Sequence, residues 1–371
     1  METPHLSIFK DDVAELDRVL LGCVLFLVGC GVLCVFSAGA GYRGRGWDFA
    51  LRQSLWMGSG IVVMLFVVAV GYRRLLDIAY PLYGLTLFLL FLTALLAPRI
   101  KGAQSWISLG FFRFQPSEFA KISLILLLSK WLSRYPPLNL KAFFWGLGVA
   151  APAVVLVLAQ PDTGSALVYL VITLGMLFIA GTPLRYLGAA AGLSVAAAPF
   201  LWFFLKEYQK LRLLVFLDPM RDPLGAGYNV IQSRIAVGSG SFGGKGFMMG
   251  MQSKLRFLPE PHTDFIFSVY AEEFGFAGTT LLLLLFAVVF SRVVAAGLRS
   301  RDRRCKILVS GVAVWIWFQM FESIGMSIGL MPVTGLPLPF LSYGGSALLS
   351  VFVALGLVGS VYADSAKRFR F

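Results

Sequence analysis

Long apolar segments alternate with short polar segments along nearly the whole chain. The hydrocarbon core of a bilayer is about 30 Å thick, and a helix needs about 20 apolar residues to cross it. Segments of this kind lie near residues 18–40, 54–71, 75–97, 116–133, 143–159, 163–181, 185–205, 264–290, 307–330 and 343–363. The pattern predicts an all-α polytopic membrane protein with ten transmembrane helices, which form a single domain over residues 1–371.

One long stretch interrupts this alternation. Residues 206–263, between the seventh and eighth predicted spans, are too long for an ordinary connection between helices. They mix Phe, Leu, Met and Gly with basic residues, which is typical of a folded or membrane-lying loop and not of a disordered one. We therefore expect this loop to contribute to function.

The composition agrees with a membrane protein. Hydrophobic residues make up 58% of the chain and charged residues 14%, well below the ~25% charged residues of soluble domains, and the mean hydropathy is +0.80. The four cysteines and two histidines lack metal-ligand spacing, so neither a zinc site nor a disulfide framework is supported. The acidic, polar N-terminus lacks the features of a cleaved signal peptide.

The net charge of +13 is explained by where the basic residues lie, and nucleic-acid binding is not needed to account for it. Cytoplasmic loops of membrane proteins are enriched in Lys and Arg. With the N-terminus inside, seventeen Lys and Arg residues fall in cytoplasmic segments and six in the short outer loops. The prediction is a multi-pass protein of the cytoplasmic membrane with both termini in the cytoplasm and residues 206–263 outside.

Four of the nineteen acidic residues cluster where the eighth predicted span begins, in LPEPHTDFIFSVYAEEFGF, residues 258–276. Pro259 and Pro261 would end any preceding helix, which makes Thr263 a candidate N-cap and puts Asp264 in the first turn, near the outer face. The helix dipole favours a carboxylate at that position. Asp264 is therefore the candidate for chemistry, within reach of water and of the basic loop.

The other polar residues of this stretch have simpler interpretations. Glu272 and Glu273 lie deeper in the span and on other faces of the helix than Asp264. We expect both to be buried partners of polar groups on other helices. For His262 an ordinary loop imidazole is favoured over a catalytic role, and both Glu260 and His262 are candidates for substrate contact.

Two more motifs place charges at the ends of predicted spans. FQPSEFAK puts Glu118 and Lys121 three residues apart, so they are neighbours on a helix. An ion pair makes both charges tolerable in the membrane, and a pair that locks helices together is favoured over a direct chemical role. In QPDTG, Asp162 lies in an outer turn, where helix capping and a contact in an outer site are equally consistent with the sequence.

A glycine-rich stretch, GSGSFGGKGFMMG, covers residues 238–250. Its first part matches GxGxxG, but no predicted strand precedes it, which argues against nucleotide binding. Glycines allow close backbone approach, and with Lys245 the stretch could hold a diphosphate; a plain flexible loop is as consistent. The Pro- and Gly-rich stretch 331–346, between the last two spans, is expected to wall the same site.

Several stretches together resemble the SEDS family (shape, elongation, division and sporulation). They are FQPSEFAK at 114–121, QPDTGSA at 160–166, LDPMRDPLGAGYNVIQSRIAVGSGSFGGKG at 217–246, LPEPHTDFIFSVYAEEFG at 258–275 and IGMSIGLMPVTGLPLPFLSYGGSALL at 324–349. They follow the family's order, and the RDPLGAGY, GSGSFGGKG and AEE variants resemble its RodA branch more than its FtsW branch. One departure is Ser323, preceded by Glu322, where the family usually has Asn.

The resemblance implies a ten-span fold and a peptidoglycan glycosyltransferase that polymerises lipid II at the outer face of the membrane during cell elongation. It implies a class B penicillin-binding protein as partner, within the elongation machinery. Asp264 matches the family's essential aspartate, and Glu118 and Lys121 match its intramembrane ion pair. The alternatives are a flippase for the same lipid-linked precursor and a non-catalytic scaffold for the penicillin-binding protein.

The implied chemistry assigns different roles to acidic and basic residues. A carboxylate can take the proton of the attacking sugar hydroxyl, while cationic groups stabilise the departing diphosphate. No organic cofactor is expected, and a divalent cation, Mg²⁺ or Mn²⁺, could assist. The candidate cations in the long loop are Arg212, Arg221, Arg234, Lys245, Lys254 and Arg256.

Overall fold

The computed structural model describes residues 15–41, 45–98, 104–108, 110 and 113–369; the polar N-terminal segment 1–14 lies outside them. In chain order the described elements are α1 (Arg18–Ala40), α2 (Gly46–Val70), α3 (Tyr72–Asp77), α4 (Ala79–Leu96), β1 (Ile107–Ser108), β2 (Arg113–Phe114), α5 (Pro116–Arg134), α6 (Leu140–Ala159), α7 (Thr163–Ile179), α8 (Leu184–Phe204), α9 (Glu207–Leu217), a 3₁₀ turn (Pro219–Arg221), α10 (Ala226–Ser239), α11 (Met251–Lys254), α12 (Ile266–Arg299), α13 (Arg303–Ile328) and α14 (Gly345–Phe369). The two short strands pair antiparallel.

Each of the ten predicted apolar segments coincides with one or two of these helices. Among the described residues, seven helices are long and apolar enough to cross a membrane: α1, α2, α4, α6, α12, α13 and α14. The multi-pass membrane character of the chain follows from these seven. Helices α5, α7 and α8, of 19, 17 and 21 residues, occupy the other three predicted segments, and the number of crossings stays a prediction.

Several helix boundaries differ from the apolar segments that predicted them. Helix α2 begins at Gly46 instead of residue 54, and the third segment is divided into α3 and α4, which meet at Ile78. Helix α12 continues to Arg299, past the predicted end at 290. The apolar pattern marks the hydrocarbon crossing, whereas these helices continue through polar residues.

The core of the bundle is built around α5 and α13. Most side chains of both helices are buried, and in α5 these include Ser117, Glu118, Lys121, Ser123 and Ser129. Helix α13 packs against α5, α7 and α12, while α14 packs along α2. Helix α8 contacts mainly α7, and none of its described side chains is buried. The buried polar side chains of α5 and α13 are therefore held in position by the surrounding helices.

The long segment 206–263 is folded, as its composition predicted. Helices α9 and α10 pack against each other and against the 3₁₀ turn between them, and α10 also packs against α12 and α13. Ser233 of α10 anchors this packing, because its hydroxyl donates to the Ser327 carbonyl at 2.7 Å and lies 2.7 Å from the Ser268 hydroxyl. The segment is thus attached to the bundle through α10.

Helix α12 is broken at Gly275, where φ is 63° and ψ is −161°. A break inside a bundle leaves backbone N–H and C=O groups without helical partners, which is tolerated only where protein satisfies them. Residues 238–246, which we call the glycine clasp, supply those partners. Four backbone hydrogen bonds join the clasp to α12: Lys245 N–H to Glu272 O (3.0 Å), Gly246 N–H to Glu273 O (3.0 Å), Phe276 N–H to Ser241 O (2.9 Å) and Ala277 N–H to Phe242 O (3.0 Å).

The glycines of the clasp are needed for this close approach. A Cβ built on Gly240 would lie 2.1 Å from the carbonyl oxygen of Ala271, and one on Gly244 would lie 2.1 Å from that of Glu273. Gly244 also has φ of +80°, a conformation that favours glycine. A plain flexible loop, one of the two interpretations open for this stretch, is therefore wrong.

Candidate functional site

Asp264 lies in a tight turn that immediately precedes α12. The Glu260 carbonyl accepts hydrogen bonds from the backbone N–H groups of Thr263 (3.2 Å), Asp264 (3.2 Å) and Phe265 (3.4 Å), and Glu260 itself has φ of +46°. The helix begins only at Ile266, without a side-chain cap. The prediction that Thr263 caps the helix and that Asp264 lies in its first turn is wrong, because this turn occupies both residues. The Asp264 side chain is half-buried.

A Pro- and Gly-rich loop, residues 329–344, lies against this turn and walls the site, as expected from its composition. A Cβ built on Gly335 would lie 3.4 Å from Asp264 Oδ2. The Tyr343 N–H donates to the His262 carbonyl at 2.9 Å, and the Ser342 hydroxyl donates to the Thr263 carbonyl at 2.6 Å. The two segments are therefore joined by hydrogen bonds to the two residues that precede Asp264.

His262 is packed between aromatic rings. Its imidazole stacks on Phe49, with ring centroids 4.7 Å apart and an interplanar angle of 15°, and meets the edge of Tyr343 at 5.7 Å. The side chain is buried. This packed environment agrees with a structural imidazole, the role that the sequence favoured. It fixes His262 in the turn that carries Asp264.

The structure brings Glu118 and Lys121 together inside the bundle. Lys121 Nζ lies 2.8 Å from Glu118 Oε2, and both side chains are almost completely buried. The Ser350 hydroxyl of α14 donates to Glu118 at 3.1 Å, and Lys121 Nζ lies 4.7 Å from the centre of the Trp315 ring. The pair thus connects α5 with α13 and α14.

Gln319 of α13 links this ion pair to the 329–344 loop, which lies against the Asp264 turn. Its Oε1 accepts from Lys121 Nζ at 3.3 Å and from the Trp315 indole N–H at 2.7 Å, while its Nε2 donates to the Pro337 carbonyl at 2.7 Å. Sequence reasoning missed Gln319. A buried amide in an apolar span was the available signal, since such a group requires hydrogen-bond partners.

Asp162 is the N-cap of α7, which is one of the two roles the sequence left open. Its Oδ1 accepts from the Ser165 N–H at 3.0 Å and its Oδ2 from the Ser165 hydroxyl at 2.8 Å. Burial raises the pKa of the Asp162 carboxyl, and the bonds from Ser165 oppose that effect. The same turn packs against the wall of the site, because a Cβ on Gly164 would lie 3.1 Å from Thr334 Cβ.

Of the two deeper acids, Glu273 has the kind of partner that the sequence predicted, and Glu272 is bound mainly by the long segment. Glu273 accepts a hydrogen bond from Ser37 of α1, which agrees with a polar partner on another helix. Glu272 is instead held by the long segment: Lys245 Nζ lies 2.7 Å from its Oε1, and the Met251 N–H donates to it at 2.9 Å. The partners of Glu272 therefore lie in the clasp and at the start of α11.

Lys245 accordingly has a structural partner, which weakens its candidacy as the diphosphate ligand. Two other candidate cations have structural partners as well. Arg234 donates to the Gly329 carbonyl at 3.0 Å, and Arg256 donates to the Gly41 carbonyl at 2.8 Å. The remaining three, Arg212, Arg221 and Lys254, are exposed on α9, the 3₁₀ turn and α11, and Arg221 lies 3.8 Å from Asp218. The six residues are distributed along the segment.

Glu322 of α13 is a site residue to which the sequence assigned no role. Its side chain is completely buried and accepts a hydrogen bond from the Thr334 hydroxyl. Within the described part of the chain, its Oε2 and the neighbouring Ser323 hydroxyl have no hydrogen-bond partner. In the same part of the chain, no group of three or more His, Cys, Asp and Glu side chains is placed to hold a metal ion.

The fold and the site together define a multi-pass helical membrane protein with a half-buried carboxylate at one end of its bundle. The chain belongs to the cell cycle protein family of FtsW, RodA and SpoVE, whose model matches residues 17–367. It is 38% identical over 364 residues to peptidoglycan glycosyltransferase MrdB of Escherichia coli K12, and this alignment covers 97% of each chain.

Two solved structures have a similar fold. One is a chain of a peptidoglycan synthase complex described by its coordination of polymerization and crosslinking, with a TM-score of 0.81, 35% identity and coverage of 94% of this chain and 98% of that one. The other is the rod shape determining protein RodA of Thermus thermophilus, with a TM-score of 0.72, 33% identity and coverage of 94% and 97%.

Proposed function

We propose that this chain is a peptidoglycan glycosyltransferase that polymerises lipid II, with Asp264 as the general base. Relatives of the same family that carry this name match nearly its full length. The observation that supports the assignment of Asp264 is its position: a half-buried carboxylate in a fixed turn directly before the apolar helix α12, walled by the 329–344 loop. A lipid-linked substrate requires a site at such a boundary, because its tail stays in the bilayer.

The reaction joins a sugar hydroxyl of one substrate to the anomeric carbon of another. Asp264 takes the hydroxyl proton as the C–O bond forms, and the bond to the diphosphate-lipid breaks with its electron pair on the leaving group. The diphosphate departs as an anion, so electrostatic stabilisation is needed more than protonation. A single displacement inverts the configuration, so an α-linked donor gives a β-linked product.

The diphosphate is stabilised by cations of the long segment. Five of the candidates have exposed side chains: Arg212, Arg221, Arg234, Lys254 and Arg256. Lys245 is the weakest candidate, because its ammonium lies 2.7 Å from Glu272 Oε1. A divalent cation, Mg²⁺ or Mn²⁺, would supplement this positive charge. Removal of divalent ions by a chelator is then expected to slow polymerisation without unfolding the protein.

The proposed setting is the outer face of the cytoplasmic membrane, with ten crossings and both termini in the cytoplasm. The excess of Lys and Arg on the side of the termini supports this orientation. The proposed partner is a class B penicillin-binding protein that crosslinks the new glycan. A similar chain in a peptidoglycan synthase complex supports such a partner.

The direct test is polymerisation of purified lipid II by the purified protein, alone and with its crosslinking partner, with the products resolved by gel electrophoresis. The proposal predicts long glycan strands. A flippase would move a labelled lipid-linked sugar across vesicle membranes without making polymer, and a scaffold would do neither. The flippase is less favoured, because the candidate site and its basic segment lie at one end of the bundle.

A further inference from the structure

Glu322 presents a physical problem that the proposed mechanism does not solve. A carboxyl group buried in a bundle is costly unless partners satisfy it. The Glu118 carboxylate has Lys121 and Ser350 as partners. Glu322 is equally buried, yet its hydrogen bond within the described chain comes from the Thr334 hydroxyl, and its Oε2 has no hydrogen-bond partner there. Such an arrangement is expected where a residue has a function beyond packing.

We infer that Glu322 is a positioning residue for Asp264, acting through the Thr334–Gly335 turn. This inference rests on the proposed function of Asp264. Thr334, whose hydroxyl Glu322 holds, is followed directly by Gly335, which faces the Asp264 carboxylate. A Cβ on Gly335 would lie 3.4 Å from Asp264 Oδ2, so the backbone of this glycine packs directly against the carboxylate.

The turn is confined from three sides. Glu322 holds the Thr334 hydroxyl from α13, the start of α7 packs against Thr334 through Gly164, and Asp264 faces Gly335. Gly335 has φ of +77°, so the turn has a conformation that few other residues could adopt. A shift of Thr334 would move Gly335 relative to Asp264, and a misplacement of about 1 Å near the reacting atoms can cost 10²-fold in rate.

The rest of the loop is anchored without Glu322. At its start, the Leu330 N–H donates to the Gly325 carbonyl at 2.7 Å. Gln319 holds the Pro337 carbonyl at 2.7 Å, two residues after Gly335, and near the end of the loop the Ser342 hydroxyl donates to the Thr263 carbonyl at 2.6 Å. Loss of the Glu322–Thr334 bond should therefore loosen the loop around Thr334, between these anchors, while the fold remains in place.

The two acids face adjacent residues of the loop. Glu322 accepts a hydrogen bond from Thr334, and Asp264 faces Gly335. The hydrogen bond from Thr334 fixes one oxygen of Glu322 on the loop side. Glu322, which is completely buried, is therefore suited to hold the wall of the site, while Asp264, which is half-buried, is the group that would reach the substrate.

The experiment compares two pairs of variants in the complex with the crosslinking partner. Glu322→Leu and Thr334→Val remove the hydrogen bond, whereas Glu322→Gln and Thr334→Ser keep an acceptor or a hydroxyl in place. Ser323→Ala is the matched control, because it removes a neighbouring buried hydroxyl that has no hydrogen-bond partner in the described chain. The kcat and KM for lipid II polymerisation and the thermal stability are measured for each protein.

We expect Glu322→Leu and Thr334→Val to lower kcat by roughly 10- to 100-fold with KM little changed, since the loss is one of positioning. Glu322→Gln, Thr334→Ser and Ser323→Ala should stay within about threefold of the parent kcat. The double variant Glu322→Leu/Thr334→Val should be no slower than either single variant, because both remove the same bond. If Glu322→Leu does not fold, the inference is tested by the kcat of Thr334→Val compared with that of Thr334→Ser.

Three results would overturn the inference. They are an unchanged kcat in the Thr334→Val and Glu322→Leu proteins, a loss of activity that matches a loss of thermal stability, or an equal loss in Ser323→Ala. Failure of the proposed function is a separate result, because the unsubstituted protein would then make no glycan from lipid II in the same assay.

Discussion

At the scale of single residues, the buried charges of the bundle are compensated by specific neighbours. The ammonium of Lys121 has a carboxylate at 2.8 Å, an amide oxygen of Gln319 at 3.3 Å and the face of Trp315 at 4.7 Å. Glu118 has in addition the hydroxyl of Ser350. Such a set makes burial of both charges tolerable, and it connects the ion pair to the loop below Asp264.

A double-mutant cycle tests this compensation. Lys121→Met leaves a buried carboxylate without its cation, and Glu118→Gln leaves the cation without its carboxylate, so each should lower the free energy of unfolding by roughly 3–5 kcal/mol. The double variant leaves neither charge and should recover part of the loss. Unfolding of all three proteins in detergent measures the effect, and additive losses would contradict a coupled pair.

The exposed pair Arg73–Asp364 is the matched control for this cycle. Its closest atoms are 3.1 Å apart, but the side chains are 51% and 33% exposed. Solvent-exposed pairs contribute only about 0–1 kcal/mol. Arg73→Met and Asp364→Asn should therefore have small effects in the same unfolding experiment.

At the scale of the elements, the glycine clasp and the break in α12 depend on each other. The break at Gly275 releases backbone groups, and the clasp satisfies them through four hydrogen bonds. Lys245 adds an ion pair to Glu272 at 2.7 Å. The long segment is thereby attached to α12 only a few turns from Asp264, so its folding and the geometry of the site are connected.

Substitution of the clasp glycines tests this dependence at two adjacent positions. Gly244→Ala puts a Cβ 2.1 Å from the Glu273 carbonyl oxygen at φ of +80°, and should lower the free energy of unfolding by more than about 2 kcal/mol. Gly243→Ala meets nothing within 4 Å and should stay within about 0.5 kcal/mol of the parent protein. Thermal unfolding and limited proteolysis of the long segment distinguish the two. Equal behaviour of both variants would contradict the clasp.

At the scale of the whole molecule, local patterns in the sequence predicted the helices, and contacts between distant residues could not be predicted. Each apolar segment of the sequence coincides with one or two of the described helices, because membrane thickness sets the length of both. The break at Gly275 lies inside the segment 264–290, which the sequence predicts as one span, so the prediction gave no sign of it. The bonds of Lys245 to Glu272 and of Gln319 to Pro337 depend on how segments pack, and turn geometry at Glu260 overrode the expected cap.

The orientation of the whole molecule can be tested by cysteine labelling. In a protein whose four native cysteines are replaced, Leu224→Cys, at an exposed position of the long segment, should react from outside with a membrane-impermeant thiol reagent. Arg301→Cys, exposed between α12 and α13, should react only after the inner membrane is permeabilised. Labelling of Arg301→Cys in cells with an intact inner membrane would contradict the orientation expected from the basic residues.

The most direct test of the account is glycan synthesis by the Asp264→Asn protein. This change keeps the size of the side chain but removes its capacity to accept a proton at neutral pH, so polymerisation should fall by roughly 10²–10⁴-fold while thermal stability and binding to the crosslinking partner are unchanged. Asp218→Asn, at an exposed acid of the long segment, should retain full activity. Near-normal glycan synthesis by folded Asp264→Asn protein would contradict the assignment of Asp264 as the base.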